Sequence, residues 1–236
     1  MSSNRRTGSL KRSKEKSATH SDGGDSGLES EFEAHYAKLY GPRWSTLSRA
    51  MLGAPKHVAL CNLFSSLRDH CMLTMLQERG INLHVVVDQP SCLVAKATNG
   101  DVIPAPDLDF ATGLRTHYML DLASVIVALS VKPEPGHKVL DMCAAPGGKS
   151  LVIAHQLFLS TSGGGYTGTL VSNDRSQDRR ERLKTVLEEY LPGSLVNSGM
   201  CAVQGHDGTH FGEKEVEVYD RVLVDAPCGS ERHVMK

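Results

Sequence analysis

The sequence is poor in aromatic residues and carries no excess of charge of either sign. Only 5% of its 236 residues are Phe, Trp or Tyr, and 26 basic residues face 27 acidic ones, for a net charge of −1. So few aromatic residues argue against a large base-stacking platform. With balanced charges, the protein lacks the overall positive charge that is typical of many nucleic-acid-binding proteins, although a local groove can still be basic. No apolar run approaches the about 18 residues that a membrane span requires, so no membrane association is predicted.

Metal-binding patterns are also lacking. The cysteines are scattered, without the Cys-x-x-Cys or paired histidine spacing that a zinc site requires. Their positions are Cys61, Cys71, Cys92, Cys143, Cys201 and Cys228. The sequence therefore predicts no metal site, and free thiols of this kind suit a reducing compartment.

Residues 1–30 are predicted to form a disordered polar tail, because they offer almost no side chains to bury. The first sixteen residues carry six basic side chains and one acidic side chain. Three interpretations stay open: a solvated tail, an arm that touches RNA, or an organelle transit peptide. A transit peptide is basic but also amphipathic, and Leu10 is the only large apolar side chain here after Met1.

Residues 31–112 are predicted to form a small helical and α+β region. Large side chains recur every three to five residues from Glu31, with a break at Gly41-Pro42, which predicts helices. The aromatic members of this series are interpreted as packing residues rather than as a base-stacking box. They are Phe32, Tyr36, Tyr40 and Trp44. The helical spacing of apolar residues over 60–71 predicts a second helix after Pro55.

Two β-like runs, 83–87 and 92–97, follow these helices and are bounded by turn residues. The stretch 100–112 contains Pro104 and Pro106 and is predicted to be a connector. This connector ends the N-terminal region, which is interpreted as an RNA-binding type of unit.

Residues 113–236 alternate between helical and extended patterns. An apolar helix is predicted over 117–130, and later helices over 150–159 and 177–190. The predicted strands are 138–142, 169–173, 200–204 and 219–225. Strands that alternate with helices form a parallel, doubly wound sheet with right-handed crossovers. The predicted fold class is therefore α/β, with a Rossmann-like parallel sheet after the smaller N-terminal region.

A loop of small residues, 143–149, joins the first of these strands to a helix. It differs from a phosphate-binding P-loop, because Cys143 stands where that motif needs glycine. The glycines at 163, 165 and 168 form a Gly-x-Gly-x-x-Gly string, but they precede a strand, which is the wrong context for dinucleotide binding. The loop can let backbone amides approach a ligand, or it is an ordinary tight turn.

Acidic residues at the later strand ends favour the ligand interpretation. Asp174, Asp207 and Asp225 follow the second, third and fourth strands. In this fold ligands lie beyond the carboxyl ends of the strands, and an acidic residue there can bind a ribose diol. Asp207 is placed to meet an adenine amino group. Each acid alone can instead be a helix cap or a solvated loop residue. Together they indicate a nucleoside ligand, and without a triphosphate motif S-adenosylmethionine is the predicted cofactor.

Two motifs, LDMCAAPGGKS and VLVDAPCGSERH, resemble those of the NSUN/Fmu family of S-adenosylmethionine-dependent RNA 5-methylcytosine methyltransferases. The segments FEAHYAKLYGPRW and HYMLDLASVIVAL are similar to its mitochondrial branch. The resemblance covers about 31–236 and is faint over 75–112. It implies the class I methyltransferase fold and a set of cofactor contacts. These are Cys143, Ala144, Ala145, Pro146, Gly147, Gly148, Lys149, Asp174, Arg179, Asp207, Gly208 and Asp225.

Methylation of cytosine carbon 5 requires a thiolate that adds to the neighbouring ring carbon. From the residues alone, Cys228 is the best candidate nucleophile, with Asp225 to hold the cytosine edge; a small buried thiol is the alternative for Cys228. The resemblance implies different roles for the cysteines: the attacking cysteine lies in a later Thr-Cys motif, and Cys228 serves product release. The sequence stops at Lys236, before any such motif. A DNA cytosine methyltransferase, which uses a Pro-Cys nucleophile, is disfavoured by the AAPGGK motif.

The predicted sheet is incomplete on its C-terminal side, and an end here would expose 222–224 at an open edge. Three explanations stay open: a fragment, a second chain over the edge, or a degenerate family member. The predicted function is methylation of RNA, most of all mitochondrial rRNA, and the alternative is an inactive assembly factor that binds rRNA. The implied protein partners are an MTERF-like repeat protein or ribosomal assembly factors. The predicted compartment is the mitochondrion, with nucleolus or cytoplasm as alternatives.

Overall fold

The computed structural model of the protein describes residues 25–53, 56–68, 70–159 and 165–227. The predictions for residues 1–24 and for Cys228 therefore lie outside the described residues. The described chain divides between two compact units, with the division after Gly53. No helix in these ranges is both long enough and apolar enough to cross a membrane.

The first unit is a pair of helices, α1 (Asp25–Tyr40) and α2 (Trp44–Leu52), joined by a 3₁₀ turn. The helix begins at Asp25, so the end of the predicted tail, 25–30, is helical. Trp44 is buried, its ring stacks on Tyr36 with centroids 5.0 Å apart, and its Nε1 donates to Glu33 Oε2. The predicted packing role of these aromatic residues agrees with this arrangement.

The second unit contains two four-stranded sheets and a short two-stranded one. Its strands are β1 (His57–Cys61), β2 (Leu83–Gln89), β3 (Cys92–Ala97), β4 (Leu108–Asp109), β5 (Leu114–Arg115), β6 (His117–Asp121), β7 (Lys138–Asp141), β8 (Thr169–Asn173), β9 (Cys201–Gln204) and β10 (Arg221–Leu223). Its helices are α3 (His70–Glu78), α4 (Leu122–Leu129), α5 (Gly148–Leu159), α6 (Gln177–Tyr190), α7 (Gly193–Asn197) and α8 (Phe211–Lys214).

The first of these sheets is antiparallel, in the order β2-β3-β1-β6. Two helix predictions are wrong here. The run that includes Leu60 is a strand, which pairs with β3 and β6, and the next helix begins only at His70. The predicted helix over 117–130 is divided, because its first five residues pair with β1 and Asp121 then caps α4 by accepting a hydrogen bond from Ala123 N. Burial of β1 on both faces removed the alternation that marks a half-buried strand.

The second sheet is parallel, in the order β10-β7-β8-β9. Val139 lies opposite both Leu170 and Arg221, so β7 is flanked by β8 and β10. The predicted α/β fold with a Rossmann-like parallel sheet is confirmed. Within the described part of the chain no strand pairs with the other side of β10, and Val222 is 49% exposed.

One hydrophobic core serves both large sheets. Val58 and Val94 of the antiparallel sheet share it with Val139 of the parallel sheet and with Leu151 of α5. The predicted domain boundary after residue 112 therefore falls inside a single compact unit, which begins near residue 54. Apolar side chains of the region before 112 are buried against the later helices, so the two regions need each other to bury them.

Candidate active site

The loop after β7 is held close to the rest of the second unit. Ala144 N donates to Asn173 O at 2.8 Å. Gly147 has φ +118°, and a Cβ there would lie 3.0 Å from Val186 Cγ1. A Cβ on Gly148 would lie 2.9 Å from Tyr118 Cε1. Both glycines are therefore needed for close packing, and the loop delivers the N-terminus of α5 to the carboxyl edge of the sheet.

Asp141, the last residue of β7, is completely buried. Its Oδ2 accepts a 2.8 Å hydrogen bond from Ser150 Oγ, which in turn accepts one from Ser172 Oγ at 3.1 Å. Its Oδ1 is buried without a hydrogen-bond partner among the described residues. Burial raises the pKa of Asp141 to about 6, against the opposing effects of the Ser150 hydrogen bond and the Lys149 charge.

Asp174 stands directly after β8, with only 4% of its surface exposed. Its Oδ1 accepts a hydrogen bond from Ser176 N at 3.0 Å. Its Oδ2 lies 3.3 Å from Arg179 Nη2, close enough for an ion pair, but has no hydrogen-bond partner in the described chain. The same Nη2 donates to Ala145 O at 2.7 Å, so Arg179 joins α6 to the loop after β7. One carboxylate oxygen is thus buried against Arg179 without accepting a hydrogen bond from the described residues.

Asp207 follows β9 and caps a short 3₁₀ turn. Its Oδ1 accepts hydrogen bonds from Thr209 N and Thr209 Oγ1, and its Oδ2 lies 3.2 Å from Arg175 Nη1. The Thr209 hydroxyl is the main cause that lowers the pKa of Asp207. Both oxygens are therefore engaged, and Arg175 would have to move before Oδ2 accepted a ligand donor. Gly208 packs closely, since a Cβ there would lie 3.0 Å from Met142 Sδ.

The two sequence motifs meet through an ion pair. Lys149 Nζ, at the start of α5, lies 2.7 Å from Asp225 Oδ2, beyond the end of β10. Asp225 is half exposed whereas Lys149 is mostly covered. The predicted carboxylate of the fourth strand end is thus tied to the end of the loop 143–149.

A cleft of about 390 Å³ opens at this carboxyl edge. Five of the predicted contacts line it: Cys143, Asp174, Arg179, Asp207 and Gly208. The cleft is also lined by residues that the sequence did not single out: Met142, Asn173, Arg175, His206, Thr209, Val224, Ala226 and Pro227. Ala144, Ala145, Pro146, Gly147, Gly148 and Lys149 build the loop behind it, and Asp225 lies between two lining residues.

Four of the described thiols, those of Cys61, Cys92, Cys143 and Cys201, have a raised pKa. Burial raises the pKa of Cys143 in the cleft, and the charges of Asp174 and Asp141 raise it further. Burial also raises the pKa of Cys61, Cys92 and Cys201 to about 12 in each case. A protonated thiol is a poor nucleophile, and the buried Cys61, Cys92 and Cys201 serve packing.

Residues 128–236 match the family model described as 16S rRNA methyltransferase RsmB/F. The chain is 32% identical over 224 residues to the 5-cytosine rRNA methyltransferase NSUN4 of Bos taurus, covering 86% of this chain and 56% of that protein. It is 32% identical over 213 residues to the mitochondrial tRNA (cytosine(34)-C(5))-methyltransferase of Danio rerio, covering 85% of this chain and 54% of that protein. The chain therefore spans about half the length of these curated relatives.

A solved structure, a methyltransferase homolog protein from Pyrococcus horikoshii, superimposes with a TM-score of 0.62. The match covers 89% of this chain and 61% of that one, at 21% sequence identity. At this identity the likeness establishes the fold.

Proposed function

We propose that this chain, whose residues 128–236 belong to the RsmB/F family of methyltransferases, binds S-adenosylmethionine and takes part in methylation of cytosine carbon 5 in RNA. The observation that carries the proposal is Asp174 Oδ2, which accepts no hydrogen bond from the described residues although Arg179 Nη2 lies 3.3 Å away. A buried carboxylate oxygen without a hydrogen-bond donor, at the edge of a 390 Å³ cleft, is suited to a ribose hydroxyl.

The other residues of the cleft fit the same ligand. The loop 143–149 is called the cofactor loop from here on. Arg179 contacts both the Asp174 carboxylate and the backbone of this loop, which organises the site before the ligand binds. Asp207 can accept from an adenine amino group once Arg175 has moved away from Oδ2. When bound, the cofactor supplies an electrophilic methyl group.

The RNA substrate class is inferred from the relatives. Their names describe cytosine carbon 5 of rRNA in one case and of tRNA in the other. For this chain we infer rRNA as the substrate, Asp225 as a contact to the cytosine edge, and Cys228 as the residue nearest to the chemistry of product release. The mitochondrial compartment is inferred from the name of the Danio rerio relative. An MTERF-like repeat protein or a ribosomal assembly factor is the inferred partner for the exposed valines in and just after β10, Val222 and Val224.

The second candidate function is a non-catalytic module that binds rRNA during ribosome assembly. The exposed side chains of Val222 and Val224 favour it, because an apolar strand edge beside the cleft is a surface on which another protein can dock. Both functions include a bound S-adenosylmethionine, and they differ in whether the polypeptide transfers a methyl group.

Calorimetry with S-adenosylmethionine tests the cofactor site. Asp174→Ala should weaken binding at least about tenfold, since a hydrogen bond to a charged group contributes about 1.5–3 kcal/mol. Asp178→Ala is the matched control: it removes the same charge from the exposed first turn of α6 and should leave affinity within about twofold. Circular dichroism verifies that both variants are folded.

Equal binding by wild type and Asp174→Ala, or no binding by folded wild-type protein, would contradict the proposed site. Transfer of a labelled methyl group to RNA then separates the two functions. Binding with transfer supports the enzyme, and binding without transfer, with the proposed partner present, supports the assembly module.

A further inference from the structure

Asn173, the last residue of β8, joins three successive strand ends. Its side chain is buried, with 1% of its surface exposed. Its Nδ2 donates to Met142 O after β7 and to His206 O after β9, both at 3.0 Å. Its Oδ1 accepts from His206 N at 2.8 Å. The backbone carbonyl of the same residue accepts from Ala144 N.

These hydrogen bonds connect the two walls of the cleft. Met142 and the residues after it form the wall that continues into the cofactor loop. His206 precedes Asp207 and Gly208, which form the opposite wall. Asn173 itself lies between them and immediately before Asp174. One buried amide group therefore sets the separation of the two walls.

Only a primary amide fits these partners. Two carbonyl oxygens require two donated hydrogens, and the amide of His206 requires an acceptor on the same side chain. A carboxylate can satisfy His206 N but offers no hydrogen to either carbonyl at neutral pH. A hydroxyl supplies at most one of the two donors.

Asn62 makes the same pattern of bonds elsewhere in the unit. It is also buried; its Nδ2 donates to Arg115 O and Tyr190 O, and its Oδ1 accepts from Phe64 N. None of these residues lines the cleft. The chain thus provides an internal control for the structural effect of losing such an amide.

We propose that Asn173 is a positioning residue for the cofactor: its amide holds the loops after β7 and β9 at the separation that the ligand requires. This inference rests on the proposed function, because the ligand is S-adenosylmethionine. It extends that function by assigning part of the affinity to a residue that need not touch the ligand.

The hydrogen bonds of the Asn173 side chain to Met142 and His206 are called the clamp. Hydrogen–deuterium exchange of the ligand-free protein tests whether the clamp holds the two loops, independently of cofactor binding. Asn173→Ser should raise exchange about tenfold in segments 142–149 and 204–210 and leave segment 62–67 unchanged. Asn62→Ser should raise exchange in segment 62–67 and leave both cleft segments unchanged. Equal protection of the cleft segments in wild type and Asn173→Ser would overturn the clamp.

Calorimetry with S-adenosylmethionine tests the consequence for binding. Asn173→Ser should weaken affinity about tenfold, whereas Asn62→Ser should stay within about twofold. If wild type binds and Asn173→Ser binds equally well, the positioning role is wrong while the proposed function stands. If folded wild type does not bind, the proposed function fails, and the positioning role for this cofactor fails with it, whatever the exchange measurement shows for the clamp.

Asn173→Asp replaces the serine variant if the latter does not fold. It keeps the side-chain size and the acceptor for His206 N. At pH 7.5 its affinity should be about tenfold below that of wild type. The gap should narrow as the pH falls and the acid gains a proton to donate to one carbonyl. Wild-type affinity at pH 7.5 would overturn the role of the amide.

Discussion

Replacement of Asp141 by asparagine should stabilise the protein at neutral pH. The carboxyl group is completely buried at the end of β7, with one hydrogen bond from Ser150 and one oxygen without a partner among the described residues. Burial disfavours the charged form, and raises the pKa of this group from 3.8 to about 6. Asparagine has nearly the same shape and carries no charge, and its carbonyl oxygen can still accept from Ser150.

The expected size follows from the difference in pKa between the folded and unfolded protein. A difference of about two pH units corresponds to about 3 kcal/mol, at about 1.36 kcal/mol per unit. The folded state binds the proton of Asp141 more tightly than the unfolded state does. The contribution of the protonated Asp141 to the unfolding free energy is therefore fully present below pH 3.8 and is lost as the pH rises through 6. The asparagine variant avoids this loss, but its amide hydrogens lack an acceptor, which costs about 1 kcal/mol or more. A net gain of about 1–2 kcal/mol at pH 7 is expected.

Urea denaturation of both proteins between pH 4 and pH 7.5 measures the difference in unfolding free energy. The gain of Asp141→Asn should be greatest at pH 7 and above, and should disappear or reverse near pH 4. Asp178→Asn, on the exposed surface of α6, should show no such trend. An Asp141→Asn variant that is less stable than wild type by the same amount at every pH would refute the reasoning.

Two further substitutions test the supports of the second unit. Asp109→Ala should lower the unfolding free energy by about 3 kcal/mol, because four hydrogen bonds converge on one buried oxygen. Asp107→Ala removes only an exposed ion pair and should lower it by less than about 1 kcal/mol. Similar losses for the two variants in urea titrations would contradict this. Gly147→Ala should lower the melting temperature more than Gly136→Ala. Both have positive φ, but only at Gly147 does the new Cβ meet another side chain, that of Val186; equal losses would refute the packing argument.

The strands of the parallel sheet could be predicted because they alternate with helices in separate, well-bounded runs. In the antiparallel sheet only β2 and β3 could be predicted. The run from His117 to Leu129 is mostly apolar and contains no glycine or proline, so only the capping position of Asp121 marked the change from strand to helix. At Leu60, pairing on both sides of β1 outweighed the helical spacing of the sequence.

The acidic residues of the cleft could be predicted because carboxylates at successive strand ends stand out in a sequence. The residues that hold these acids in place through hydrogen bonds could not be predicted. Asn173 and Ser150 act through hydrogen bonds to residues nine or more positions away, and nothing in their local sequence distinguishes them from other polar residues. The position of Asn173 next to Asp174 was the one available signal.

The contact between Gly148 and Tyr118 links two positions 30 residues apart in the chain. Tyr118 belongs to β6, and its ring packs edge-on against Tyr190 with centroids 5.2 Å apart, so it has little room to withdraw. A side chain at 148 therefore requires a smaller one at 118. As sequences diverge, these two sites should change together rather than separately, and the antiparallel sheet thereby limits which residues the glycine loop can accept.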